Sequence, residues 1–247
     1  MMDSFPRIDG GTLSAKVKRL LLKLMKDGAF DDTGKLPPEE KLAELLGVSR
    51  TVVRDVLTLF ETEGFITRRR GIGTVINTVF LKAIRLDLEF EFLELVEEAG
   101  YRPEIAWVKV AEGVADGEAC AKLGLSPGEE IFLIERLILA DGIPAIHCID
   151  HFSKGLIVDW SFDEEELKAP IFDFLKNRCK VDVYMDLTQI APKCADEQVA
   201  ALFRIDVGAP ILYMDEIGFD IEQRPILWSK EYHRHELFNY KLLRKRY

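Results

Sequence analysis

The sequence predicts an α+β chain of two domains: an N-terminal winged helix-turn-helix, then an antiparallel-sheet domain built on an internal pseudo-twofold repeat. Three observations carry this. Two amphipathic segments are separated only by Gly47-Val48-Ser49, and helices so close cannot be coaxial, so they must turn sharply and share a core. A basic, glycine-bearing segment follows them between two short β-forming runs. Finally, residues 111–142 can be laid on 191–222 with six of 32 positions identical, including Ala115/Ala195, Asp116/Asp196 and Gly128/Gly208.

From Thr12 to Lys26, Leu13, Val17, Leu20, Leu21 and Leu24 recur at helical spacing among basic residues, which predicts one amphipathic helix. Asp27-Gly28 breaks it, and Leu36-Pro37-Pro38-Glu39 restarts the chain with a proline suited to a first helical turn. The second helix runs to about Leu46 and is expected to bury Leu42, Leu45 and Leu46, with Gly47 ending it by accepting positive φ. Ser49 is the N-cap of a third helix, Arg50 to Glu63, with the stripe Val52, Val53, Val56, Leu57 and Phe60. After Gly64, residues 65–67 and 74–76 read as strands flanking Arg68-Arg69-Arg70-Gly71-Ile72-Gly73, a hairpin with a basic tip.

Val79 to Ala99 is helical in pattern and acidic, ending at Gly100, and reads as a linker helix. The expected divisions are 1–77 for the winged domain, 78–100 for the linker and 101–247 for the second domain. Each repeat copy has the order helix, glycine turn, strand, polar turn, strand after a proline. Such units pair into one antiparallel sheet, with strands expected near 104–112, 131–140, 145–152, 182–190, 211–220 and 226–234.

The 247 residues carry a net charge of −10, which disfavours nucleic-acid binding until it is split by position. Residues 1–78 hold 13 Lys/Arg against 11 Asp/Glu, and residues 79–247 hold 20 against 32. Screening limits the reach of charge to about 8 Å at physiological salt, so a local basic surface can hold phosphates beside a distant acidic domain. The four cysteines are scattered with no Cys-x-x-Cys pair, which predicts buried thiols in a reducing compartment rather than a zinc site or disulfide framework. With no long apolar run and no secretion-signal pattern at the start, a cytoplasmic location and no membrane partner are expected.

A helix-turn-helix presents the N-terminal residues of its second helix to the major groove. Here those are Arg50, Thr51 and Arg54, with the Ser49 end offering backbone N–H groups to phosphate. Arginine bridges guanine O6 and N7 or grips phosphate, and threonine meets a thymine methyl or phosphate. In the wing, Arg68 and Arg70 add charge, while Gly71 and Gly73 allow close backbone approach to DNA. Lys35 is expected as a peripheral phosphate contact.

The run KLPPEEKLAELLGVSRTVVRDVLTLFETEGFITRRRGIGTVI resembles the DNA-binding signature of the GntR family of bacterial regulators. It combines the Leu-Pro-x-Glu start, the Gly-Val-Ser-Arg-x-x-Val-Arg turn and the Arg-x-Gly-x-Gly-Thr wing ending at Thr74. The resemblance implies DNA contacts at Arg50, Thr51, Arg54, Arg70 and Gly71. Pro38 departs from the small residue usual there. Residues 101–247 resemble the UTRA effector domain, similar in fold to chorismate lyase, through Leu123-Gly124-Leu125-x-Pro127-Gly128-Glu129, Glu135-Arg136-Leu137, Ala140-Asp141-Gly142-x-Pro144, Arg224-Pro225 and Ser229-x-Glu231-Tyr232-x-Arg234. This implies a small-molecule sensor, often for a sugar phosphate or other acidic metabolite.

Alternation places Arg136 on a strand face with Phe132, Ile134 and Ile138, and a buried guanidinium needs an anion. That anion is either a ligand group or a protein carboxylate. The repeat register makes Asp150 correspond to Glu231 and Cys148 to Ser229. Trp228 and Tyr232 either stack on a ligand or belong to the core. Phosphate-binding relatives tend to carry a second arginine and a glutamate where this chain has Ile138 and Cys148, which points to a less anionic or more apolar effector. His147/His151 and His233/His235 suggest metal pairs, but the register sends them to opposite sheet faces, so no metal or cofactor is expected.

The expected function is that of a homodimeric, ligand-responsive repressor, released from a palindromic DNA operator by a small metabolite. The alternatives are a constitutive DNA-binding dimer and an enzyme of lyase-like fold. No nucleophile–base pair or phosphate loop supports the last of these.

Overall fold

The computed structural model describes residues 13–30, 33–78 and 92–240. They fall in two compact units, one holding residues 13–78 and the other 92–240. The first comprises α1 (Leu13–Lys26), β1 (Lys35–Leu36), α2 (Glu39–Leu46), α3 (Arg50–Glu63), β2 (Ile66–Arg69) and β3 (Gly73–Ile76). Gly47 closes α2 at φ +65 and Gly64 closes α3 at φ +92, so both glycines supply the left-handed turn that ends a helix. Val17, Leu21 and Met25 of α1 pack on Leu42 of α2 and on Val53, Val56, Leu57 and Phe60 of α3.

The structure departs from expectation at three places in this unit. Leu45 is 63% exposed, and Ala43 joins Leu42 inside instead. Leu13 and Leu20 are likewise exposed. The wing has a third strand, since β1 pairs with β3 through Lys35↔Val75 and Leu36↔Thr74.

Of the expected linker helix, residues 79–91 lie outside the described residues. Its C-terminal part is α4 (Phe92–Glu98), with Gly100 at φ +91 just beyond. The second unit continues with β4 (Pro103–Val114), α5 (Gly117–Leu123), β5 (Glu130–Ala140) and β6 (Ile143–Ser153). A covering segment with the short helices α6 (Glu164–Lys168) and α7 (Ile171–Phe174) leads to β7 (Met185–Cys194), α8 (Glu197–Phe203), β8 (Pro210–Phe219) and β9 (Pro225–His233). The strands form one antiparallel sheet in the order β4-β5-β6-β9-β8-β7.

That order is the pseudo-twofold expected from the duplication. At its centre Cys148 pairs with Glu231, Asp150 with Ser229, and Ile149 with Lys230, so repeat equivalents exchange partners about the axis. Asp116 and Asp196 cap the equivalent helices α5 and α8 through Ala119 and Val199. These helices cover one sheet face, burying Ala119, Leu123 and Trp228 at one end and Ala200, Phe203 and Leu137 at the other. The opposite face is covered differently in its two parts. Phe174, Leu175 and Ile171 lie over Phe132, Ile134 and Phe152, while Leu95, Val96 and Phe238 lie over Ile138 and Ile146.

Candidate functional site

The first unit assembles its charged surface around the start of α3. Ser49 Oγ accepts from Val52 N at 3.3 Å, which satisfies one of the N–H groups that a helix start leaves open. Arg50, Thr51 and Arg54 are all exposed. The two arginines are held by the first turn of α2: Arg50 Nη1 lies 2.6 Å from Glu40 Oε1, and Arg54 Nε donates to Glu39 Oε2 at 3.2 Å. Glu39 engages Arg54 through Nε, and the Nη pair of a guanidinium has the geometry for the two-pronged contact that guanine O6 and N7 accept. Glu39 and Glu40 were not anticipated from sequence, although their helical spacing from the turn was visible.

In the wing, the tip is narrower than expected. Arg70, Gly71 and Ile72 form it, while Arg68 and Arg69 belong to β2. Arg68 turns back onto α3, donating to Arg54 O at 3.4 Å and Thr58 Oγ1 at 3.3 Å, with Glu61 3.7 Å away. It therefore braces the wing on α3. Gly71 at φ +79 and Gly73 at φ +102 face open space, so these positions need glycine for backbone conformation. Lys35 is exposed on the edge strand and Thr74 is half-buried between β1 and β2.

In the second unit Arg136 is 4% exposed and Asp150 1% exposed. Arg136 Nη2 bonds the Asp150 carboxylate, Nη1 donates to Ala169 O at 3.0 Å, and the guanidinium lies 5.9 Å from the Phe92 ring centre. One cation thus joins the central sheet, the covering segment and α4. Asp150 also accepts from Ser229 Oγ at 2.6 Å and Cys148 Sγ at 3.4 Å. On the same face His233 Nε2 meets Glu231 at 2.9 Å, and Tyr240 Oη meets His233 Nδ1 at 2.6 Å. Thr188 Oγ1 bridges Glu216 and Asp186 at 3.0 and 3.1 Å.

Burial, reinforced by neighbouring carboxylates, pushes Glu216 up to about 10 and Glu231 up to about 8, so both hold protons at neutral pH. Burial also raises the Cys148 thiol well above its ordinary value and lowers His233 to about 3. Glu216, absent from the expected site, is the repeat equivalent of Arg136, and the register alone would have found it.

The structure brings together Arg136, Cys148, Asp150, Ser229 and Glu231 but not Trp228 and Tyr232. Those two aromatics lie on the opposite face, stacked on His151 at 4.4 Å and His147 at 5.7 Å, and pack against α5 and α8. Their role in the described structure is core. His147 and His151 accordingly sit on the face opposite His233.

A cavity of about 220 Å³ opens beside Arg136. Its described walls are Phe92, Leu93 and Glu94 of α4, Ile105 of β4, and Ile138 of β5. Lys168 and Pro170 of the covering segment close it. Among the described residues no cluster of His, Cys, Asp or Glu has the arrangement to hold a metal, and no helix is long and apolar enough to cross a membrane.

A winged helix-turn-helix with paired arginines at its recognition helix, joined to a cavity-bearing duplicated sheet, defines a DNA-binding transcription regulator. The chain belongs to the gntR family of bacterial regulatory proteins, matched over residues 13–76, in the form that carries a UTRA domain, matched over 98–239. It is 25% identical over 232 residues to the HTH-type transcriptional regulator GgaR of Escherichia coli K12, covering 93% of this chain and 90% of that protein. It is 26% identical over 188 residues to the HTH-type transcriptional repressor NagR of Bacillus subtilis, covering 76% of each. The fold is shared with the possible transcriptional regulator YydK of Bacillus subtilis, at TM-score 0.71 and 17% identity over 94% of this chain and all of that one. It is also shared with PhnF of Mycobacterium smegmatis, at TM-score 0.57 and 21% identity over 93% and 99%. GgaR and NagR, like the family itself, are named as transcriptional regulators rather than enzymes.

Proposed function

We propose that the protein is a homodimeric repressor whose grip on a palindromic operator is released by a small metabolite bound in the cavity beside Arg136. The observation that carries this reading is that α4, the C-terminal part of the expected linker at 78–100, builds one wall of that cavity through Phe92, Leu93 and Glu94. An occupant would touch the segment that leads from the first domain, 1–77, to the second, 101–247. Coupling of about 1–3 kcal/mol would suffice to change operator affinity several-fold or more. Arg50, Thr51, Arg54, Arg70 and Gly71 are the proposed DNA contacts, with Ser49 and Thr74 supporting them. A twofold pair of recognition helices matches a palindrome, and the named repressor function of NagR supports the sign.

The test is operator binding by the full chain, followed by fluorescence anisotropy, with and without a metabolite extract from the source bacterium. Release of DNA supports the reading. Affinity indifferent to the whole extract would instead establish a constitutive DNA-binding dimer.

A further inference from the structure

The charges and walls of the cavity narrow the chemistry of its occupant, on the reading that this cavity is the effector site. Its volume of about 220 Å³ lies below the ~300–1,000 Å³ typical of sites for drug-sized ligands, so the occupant is small. Phe92, Leu93, Ile105, Ile138 and Pro170 supply apolar wall, and of the described lining side chains three are polar, Glu94, Arg136 and Lys168. A sugar would bring several hydroxyls against that wall, each needing a hydrogen-bond partner it does not find.

The charge balance also disfavours a phosphate. Arg136 is already compensated by Asp150, and Lys168 by Glu165 at 2.5 Å. Glu94, by contrast, has no ion-pair partner among the described residues and lines the cavity from α4. Among the described residues the cavity therefore presents one uncompensated negative charge; of its two cations Arg136 is held by buried Asp150, whereas Lys168 pairs with Glu165, 77% exposed, in a weak surface pair that a single ligand carboxylate can replace. A dianion would enter against that charge. A molecule carrying an ammonium group for Glu94, a carboxylate for the Lys168 side and an apolar body for the remaining wall would meet every group.

We propose that the effector is an apolar α-amino acid, of the branched-chain or aromatic class, read by Glu94 at its ammonium group and by Lys168 at its carboxylate. Ile138 is then a specificity residue, placing apolar surface where a second cation would favour a phosphate.

The experiment is calorimetric titration and thermal shift of the full chain with the proteinogenic L-amino acids. For any that bind, the deaminated acid and the decarboxylated amine of the same side chain follow, with glucose 6-phosphate and glucosamine 6-phosphate as the sugar-phosphate arm. The expected result is binding of at least one branched or aromatic amino acid, about tenfold or more tighter than both truncated analogues. Glu94→Gln should erase the preference over the acid, and Lys168→Met the preference over the amine. Both changes are at the domain surface, and retained tryptophan fluorescence would show that the fold is kept.

A sugar phosphate that binds while every amino acid fails overturns the inference, as does equal affinity for the amino acid and its truncated analogues. If a metabolite extract still releases operator DNA in those cases, only the ligand class is wrong. If neither the panel nor the extract affects stability or DNA binding, the sensor reading falls as well.

Discussion

Asp150→Asn should be among the most damaging single changes in the second unit, although it alters one atom. Asp150 is 1% exposed and faces Arg136, itself 4% exposed. Neutralising the carboxylate leaves the guanidinium buried without the Asp150 charge it faces. Breaking such a pair from one side costs about 3–5 kcal/mol. The bonds from Ser229 and Cys148 can in part be kept by the amide oxygen, so the loss is mainly electrostatic.

For a domain of this size each kcal/mol moves the melting temperature by about 2–4 °C, which gives a fall of about 6–20 °C. All three tryptophans, Trp107, Trp160 and Trp228, lie in this unit, so urea unfolding followed by tryptophan fluorescence reports it selectively. Replacing both partners, Arg136→Met with Asp150→Leu, should restore most of the loss, because an apolar pair needs no desolvation of charge. A loss below about 1 kcal/mol for Asp150→Asn, or a double variant no better than the singles, would refute the pairing as the reason Arg136 can be buried.

Arg54→Lys keeps the charge but removes the planar fork, so it should cost about 1–3 kcal/mol at one operator base pair with little change in salt dependence; a uniform loss across all sequences would make Arg54 a phosphate contact instead. Ser49→Ala should lower the stability of the first unit by about 1 kcal/mol through loss of the α3 cap, read from its denaturation by far-ultraviolet dichroism. For pH, Glu216 and Glu231 have raised carboxyl values of about 10 and about 8, so their stabilisation is full below the unfolded value near 4.5 and drains as pH rises through 8 and then 10. His233, lowered to about 3, and His147 and His151, also lowered by burial, act oppositely and cost stability as pH falls below 6.5. Between pH 6.5 and 8 the second unit should therefore lose stability as pH rises, and Glu216→Gln should flatten that slope; an unchanged slope would remove Glu216 as its source.

The features that proved legible were those with a period or a repeat behind them. The limits of α3 follow from Ser49, Gly64 and a stripe every three or four residues, and the observed helix occupies Arg50–Glu63. The repeat led to six strands in one antiparallel sheet and even corrects the one misplaced strand: β4 at Pro103–Val114, carried through the alignment, falls on the observed β7 rather than on 182–190. Simple alternation likewise separates Trp228 and Tyr232 from Ser229 and Glu231, a separation that grouping them by family motif concealed. What stayed hidden has no period. A two-residue β1 is too short to show one, the turn of Arg68 toward α3 depends on tertiary contact with Thr58 and Glu61, and the covering segment at 154–184 contains only short helical pieces, at Lys154–Leu156, Glu164–Lys168 and Ile171–Phe174, the last running on into a π-helical turn at Leu175–Cys179.

The covering segment is also where the duplication stops being symmetric, and that asymmetry bears on the cavity beside Arg136. Equivalent positions hold Arg136 and Glu216, a cation at one end of the face and a protonated carboxyl at the other. After β6 the chain spends residues 154–184 crossing over the Arg136 side, where Ala169 O and Pro170 close upon it. After β9 the equivalent stretch instead turns at once over Ile138 and Ile146 with Leu237 and Phe238, and Tyr240 reaches the Glu231–His233 pair. The Arg136 side is thereby walled by the covering segment together with α4, which precedes the first repeat. On the proposed sensor reading, an occupant of that side would meet α4, the segment that leads to the DNA-binding domain, through Phe92, Leu93 and Glu94.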